Sequence, residues 1–216
     1  MWPRTRNKLL ARVASVITQG KIVYIPKHFE VTDQDEIFAF IEANAFGQLI
    51  SNVNGRLFST HLPFLLSEDQ SKIIGHLALQ NPQHTEIDGQ EVLITLEGAH
   101  DYISPAWYSS PGVPTWNYQA VHIYGECKVF RDTKELQDIV NALTNKYEAA
   151  FEKPWQPEYN PSMLGAIVGV EVTINEIQCK YKLGQNRSPQ DRSQVIKQLK
   201  SVGSNSLAKA MERNEL

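Results

Sequence analysis

Three stretches of the chain gather polar and aromatic side chains at the margins of apolar runs, where binding residues usually lie. They are Ser59-Thr60-His61-Leu62-Pro63-Phe64, the segment from Gly75-His76-Leu77-Ala78 to Asn81-Pro82-Gln83-His84, and Tyr102 to Tyr118. In the third, Trp107, Trp116, Tyr102, Tyr108 and Tyr118 offer flat apolar faces with polar tips, while Pro105, Pro111, Gly112 and Pro114 impose an irregular path. Such a surface suits a planar ligand or a second subunit, and it could equally cover the open side of a sheet. A fourth stretch, Lys182-Leu183-Gly184-Gln185-Asn186-Arg187, precedes Ser188-Pro189, where serine can cap a helix that begins on proline. Two cations, two amides and a helix N-terminus suit a phosphate monoester, although solvation and capping are the plainer uses of such residues.

Other chemistries have no foothold. The histidines at 28, 61, 76, 84, 100 and 122 form no pair at the spacing of a helical zinc motif, so no metal is expected. His61 and His76 fall on neighbouring strands of the linear pattern and could approach one another as ligand contacts or as buried structural histidines. His122 alternates with Val121 and Ile123 and reads as structural. There is no Ser-His-Asp elbow, phosphate-cradling P-loop or dinucleotide fingerprint. Cys127 and Cys179 are too few for a disulfide framework and read as free thiols of a reducing compartment, which places the chain in the cytoplasm.

The elements that must position these residues are mostly strands. Asp33 to Ala45 has an N-cap, acids in the first turn and apolar residues near helical spacing, and predicts a helix over about 33–45. Gln48 to Val53, Asn54-Gly55 and Arg56 to Leu66 predict a hairpin with a type I′ turn. Further strands are expected at Lys72 to Leu79, Glu91 to Leu96, Val121 to Phe130 and Ile167 to Tyr181, with helices at Lys134 to Ala149 and Arg192 to Lys200. The sum is an α+β chain dominated by antiparallel β-structure, a barrel or strongly curved sheet with peripheral helices.

Charge narrows the partners. Residues 1–22 contain Arg4, Arg6, Lys8, Arg12 and Lys21 and no acid, which leaves 16 basic against 24 acidic residues from Val23 onward. A body of that sign repels phosphate backbones, so any DNA contact must be local or indirect. Residues 1–22 read as an extension: a basic helix, a targeting peptide or, preferred, translated upstream sequence from an early start assignment. Residues 23–216 read as one domain. No apolar run reaches the roughly 20 residues that span a bilayer, so no membrane partner is expected.

Seven motifs, in order and spacing, resemble the PaiB family of bacterial negative transcriptional regulators. They are Tyr24-Ile25-Pro26-Lys27-His28-Phe29, Thr60-His61-Leu62-Pro63, Gly75-His76-Leu77-Ala78, Asn81-Pro82-Gln83, Tyr102 to Tyr108, Val113 to Tyr118 and Lys182 to Arg187. The resemblance runs from about Val23 to Leu199. It implies an FMN-binding split β-barrel of the pyridoxamine-phosphate-oxidase type and a homodimer that holds FMN between its subunits. It further implies a role in repressing transcription connected with sporulation and degradative enzymes. By motif, Thr60, His61, Leu62 and Pro63 would line the flavin edge, and His76, Ala78, Asn81 and Gln83 the ribityl phosphate arm. Trp107, Trp116, Asn117 and Tyr118 would close the pocket, and Lys182, Gln185, Asn186 and Arg187 would add C-terminal contacts. The chain departs from the pattern at Leu79, where many relatives carry arginine, at His84 in place of tryptophan, and at Gly184 in place of serine. A flavin oxidoreductase of the same barrel is the alternative function, since fold alone does not choose between them.

Overall fold

The computed structural model describes residues 23–157 and 160–214; the expected extension, residues 1–22, lies outside the described residues. Helix α1 (Gln34–Ala43) starts where Asp33 accepts the Glu36 amide at 2.9 Å. Strands β1 (Phe46–Val53) and β2 (Arg56–Pro63) form the expected hairpin. Its turn has φ of 51° at Asn54 and 71° at Gly55, the left-handed pair that an Asn-Gly turn tolerates. β2 continues through Phe64 into the short β3 (Leu65–Leu66), followed by β4 (Lys72–Ala78), β5 (Glu91–Ile103) and β6 (Thr115–Phe130). Helix α2 (Thr133–Glu148) is capped by Asp132, whose carboxylate accepts two backbone amides. β7 (Ile167–Lys182), α3 (Pro189–Ser201) and α4 (Asn205–Arg213) complete the described chain.

The seven strands join in the order β2-β1-β5-β6-β7-β4-β3, with antiparallel pairing of β1 to β2 and β5, and of β4 to β3 and β7. The terminal strands of that order, β2 and β3, are one piece of chain joined at Phe64, so the sheet rolls closed. Close approach of neighbouring strands is built in at glycine. A β-carbon on Gly125 would stand 2.1 Å from the Thr173 carbonyl oxygen, and one on Gly47 would stand 2.2 Å from that of Thr95.

Two compact units divide the described residues. The first comprises Ile41–Leu96 and His122–Ile177; the second comprises residues 23–40, Glu97–Val121 and 178–214. In the first, Leu49, Phe64, Leu77, Ile94, Ile123 and Val170 are at most 2% exposed and fill the barrel. In the second, Val195, Ile196 and Leu199 of α3 and Leu207, Ala208 and Met211 of α4 are buried at helical spacing. Arg192 donates to the carbonyls of Met211 and Asn214 at 3.1 and 3.2 Å, a cation placed at the carbonyl end of α4.

Two elements depart from expectation. β5 runs seven residues beyond Leu96 to Ile103, and β6 begins at Thr115 instead of Val121. Trp116, Asn117 and Tyr118 are therefore strand residues; Pro105, Pro111, Gly112 and Pro114 confine the irregular path to the connection between these strands. Helix α4 was hidden because only Leu207, Ala208 and Met211 of its nine residues carry the buried face.

Candidate functional site

In the first unit, β2, β4 and the 3-10 turn Pro82–Thr85 carry the polar residues. Asn81 caps that turn: its side-chain oxygen accepts the Gln83 amide at 3.0 Å and its Nδ2 donates to Thr60 Oγ1 at 2.9 Å. Thr60, serving as acceptor there, keeps its own hydroxyl proton to donate. His61 is exposed and lies against Phe46 with ring centroids 6.2 Å apart and the ring planes inclined at 28°. It takes that neighbour on β1 rather than His76, and His76 Nδ1 is buried without a partner. Burial holds the His76 pKa below its ordinary value and so favours the neutral ring. Leu62 is buried, Pro63 half-buried, and Ala78 stands exposed at the end of β4.

Gln83 is wholly buried, and its Nε2 donates to the Leu49 carbonyl at 3.0 Å and Ser51 Oγ at 2.9 Å. Its nitrogen is thus taken up in tying the turn to β1. Replacing it with leucine strands those acceptors in the core, and we expect a loss of about 1–3 kcal/mol in urea unfolding. The neighbouring His84 is also buried; Nε2 lies 2.8 Å from the Leu79 carbonyl and Nδ1 lies 3.3 Å from an Arg131 guanidinium nitrogen. Arginine only donates, so Nδ1 is the acceptor and Nε2 carries the proton given to Leu79.

The second unit holds an aromatic and cationic cluster. Trp116 is 55% exposed and meets Tyr102 edge to face at 6.3 Å. Lys180 Nζ lies 5.6 Å from the Tyr24 ring centroid and 5.4 Å from that of Tyr118, and Arg187 stacks over Tyr108 at 4.3 Å. Lys182 Nζ donates to Thr115 Oγ1 at 2.6 Å and to the Trp116 carbonyl. Its pKa is lowered, first by burial and then by the positive charges of Lys180 and Arg187. Among the described residues no carboxylate forms an ion pair with any of these three cations. Lys182 thus feels the repulsion of its two cationic neighbours, which a bound anion would relieve.

The remaining expected residues have local roles here. Gln185 accepts the Leu183 amide at 2.7 Å and donates to the Tyr181 carbonyl at 2.6 Å, closing the turn after β7. Gly184 in that turn has φ of 78°, a conformation serine adopts only with strain. Asn186 is exposed, Trp107 is half-buried at the end of the 3-10 turn Pro105–Trp107, and Asn117 is buried with Nδ2 3.5 Å from Met211 Sδ. Ser188 caps α3 as expected. Asp191, 1% exposed, accepts Ser109 N, Ser109 Oγ and Ser110 Oγ, each at 2.7 Å. These bonds, that from Ser110 foremost, hold its carboxyl far below the usual range.

Sequence reasoning passed over Lys180, although its alternation with Lys182 on β7 was a usable signal. It also passed over Arg131, for which no local pattern exists. Nucleophilic chemistry at cysteine has no support: Cys127 and Cys179 are buried, and desolvation pushes each thiol up to about 12. Among the described residues no group of histidine, cysteine and carboxylate side chains could hold a metal ion, and no helix is long and apolar enough to cross a membrane.

Comparison with known proteins bears on the family and the fold. The family model described as "Putative FMN-binding domain" matches residues 23–176. The chain is similar to the protease synthase and sporulation protein PAI 2 of Bacillus subtilis, with 40% identity over 187 residues, 83% of this chain and 90% of the relative. Among solved structures it is similar in fold to the flavocytochrome Anf3 of Azotobacter vinelandii, with a TM-score of 0.63, 15% identity and coverage of 82% and 81% of the two chains. A FAD and heme binding protein from Mycobacterium smegmatis gives a TM-score of 0.57 at 12% identity, covering 76% of this chain and 78% of the other. With a flavin-type split barrel in the structure and a family match across most of its length, the chain belongs to the PaiB-like family of FMN-binding domains.

Proposed function

We propose that the protein binds FMN as a homodimer and acts as a flavin-responsive negative regulator of transcription. The observation that carries the flavin reading is the set Lys180, Lys182 and Arg187, in no ion pair with a carboxylate among the described residues and framed by Tyr24, Tyr108, Tyr118 and Trp116. Flat aromatic surfaces suit stacking on a planar, electron-accepting ring, and the repulsion acting on Lys182 falls when negative charge arrives beside it. The first unit, taken by itself, offers polar groups suited to a ribityl phosphate: the free Thr60 hydroxyl proton and the second proton of Asn81 Nδ2. Thr60, His61, Leu62 and Pro63 would follow the ring edge, with His76, Ala78, Asn81 and Gln83 toward the phosphate arm. Trp107, Trp116, Asn117 and Tyr118 would cover the ring, with Lys182, Gln185, Asn186 and Arg187 completing its contacts. When bound, the flavin supplies reversible electron acceptance; the side chains hold it, orient it and set the charge around it.

The regulatory part of the proposal draws on the similarity to the Bacillus sporulation protein and on the family's implied role. The acidic balance beyond residue 22 favours indirect action over a broad direct grip on DNA. An absorbance spectrum of the purified protein in the flavin bands, followed by FMN titration with light scattering for mass, tests the first part. Saturable binding at one FMN per subunit of a dimer is expected. No flavin and no measurable affinity would remove the proposal. A salt-dependent mobility-shift series on candidate promoters then tests direct DNA contact, where a weak and sequence-independent response is expected.

A further inference from the structure

We propose that Arg131, oriented by His84, is the cation that receives the phosphate of the flavin and makes the protein prefer FMN over the unphosphorylated ring. The inference rests on the flavin reading above and adds to it a residue outside the expected site. Arg131 is exposed, and its hydrogen bond is to a neutral ring nitrogen, at 3.3 Å, instead of to a carboxylate. A carboxylate partner would cancel its charge; the His84 ring fixes its direction and leaves the charge whole. The ring is itself held, because it is buried and its other nitrogen donates to the Leu79 carbonyl at 2.8 Å. Arg131 is thus a pre-oriented cation with several uncommitted N–H donors.

Its surroundings suit a phosphate. His84 belongs to the turn that Asn81 caps, and Leu79, which anchors the ring, lies two residues before Asn81, directly after β4. That turn joins Thr60, with its free hydroxyl proton, to Asn81 at 2.9 Å. Leu79 itself brings no charge, so the dianion would otherwise meet only neutral donors from the β2, β4 and turn segments, a costly arrangement. Arg131 supplies the missing positive charge from the end of β6, a segment distant in sequence.

The test measures dissociation constants for FMN and for riboflavin, by quenching of flavin fluorescence, in the wild-type protein and in Arg131→Ala, Arg131→Lys and His84→Ala. Arg131→Ala should weaken FMN about tenfold to a hundredfold, the scale of one charge-assisted contact, and leave riboflavin unchanged. Arg131→Lys should recover part of the loss, and His84→Ala should fall between wild type and Arg131→Ala. Circular dichroism confirms that the exposed Arg131 variants keep their fold. Unchanged FMN affinity in Arg131→Ala, or an equal loss for both flavins, overturns the role of Arg131 and leaves the flavin reading standing. A wild-type protein that takes neither flavin overturns both.

Discussion

Gly125→Ala is expected to destabilise the protein by about 3 kcal/mol, at the upper end of what overpacking typically costs. The added methyl would meet the Thr173 carbonyl oxygen at 2.1 Å and Val172 Cγ1 at 2.7 Å. The first of these atoms is backbone in β7 and cannot rotate away, so β6 and β7 would have to part. The measurement is the urea midpoint, with Gly165→Ala as control. Nothing lies within 4 Å of a β-carbon built on Gly165, so that change should stay within about 0.5 kcal/mol of wild type. A Gly125→Ala protein as stable as the control would show that the two strands are not as close as described.

Asp191→Asn is the second large effect, and it is read against pH. The folded-state pKa of Asp191 is depressed by hydrogen bonds from Ser110 and Ser109, so ionisation favours the folded state. The stabilisation is complete above the ordinary aspartate value, near pH 4, and is lost as pH falls below it toward the folded pKa. The asparagine side chain carries no charge to titrate and gives up one acceptor. Melting at pH 7 should therefore fall sharply in the variant, and the gap to wild type should begin to narrow once pH drops below about 4 and go on narrowing as pH falls further. Limited proteolysis should find new cleavage near Ser109-Ser110, since both residues are fastened to α3 through this carboxylate. A constant gap across the pH series would mean that Asp191 is not the ionised anchor.

Local rules carried much of the fold. Asn54-Gly55 announced its turn, Ser188-Pro189 its helix start, and alternation along β6 and β7 their strand character. Where local signals conflicted with tertiary pairing, they failed. Trp116-Asn117-Tyr118 follow Pro114 and look like loop, yet they extend β6, which neighbours β5 and β7 in the sheet. The candidate site was legible as segments and not as contacts. Lys182 and Arg187 could be named from their cluster, but that neither forms an ion pair with a carboxylate among the described residues is a spatial fact. Arg131 reaches His84 across 47 positions and Asp191 reaches Ser109 across 82, separations at which a single sequence carries no pairing information.

The inaccessibility of the two native thiols has a practical side. With Cys127 and Cys179 enclosed and protonated at neutral pH, a cysteine placed on an exposed surface would be the sole group open to maleimide chemistry. A fluorophore or spin label could then be attached without first rebuilding the interior, and distances could be read from the otherwise native molecule.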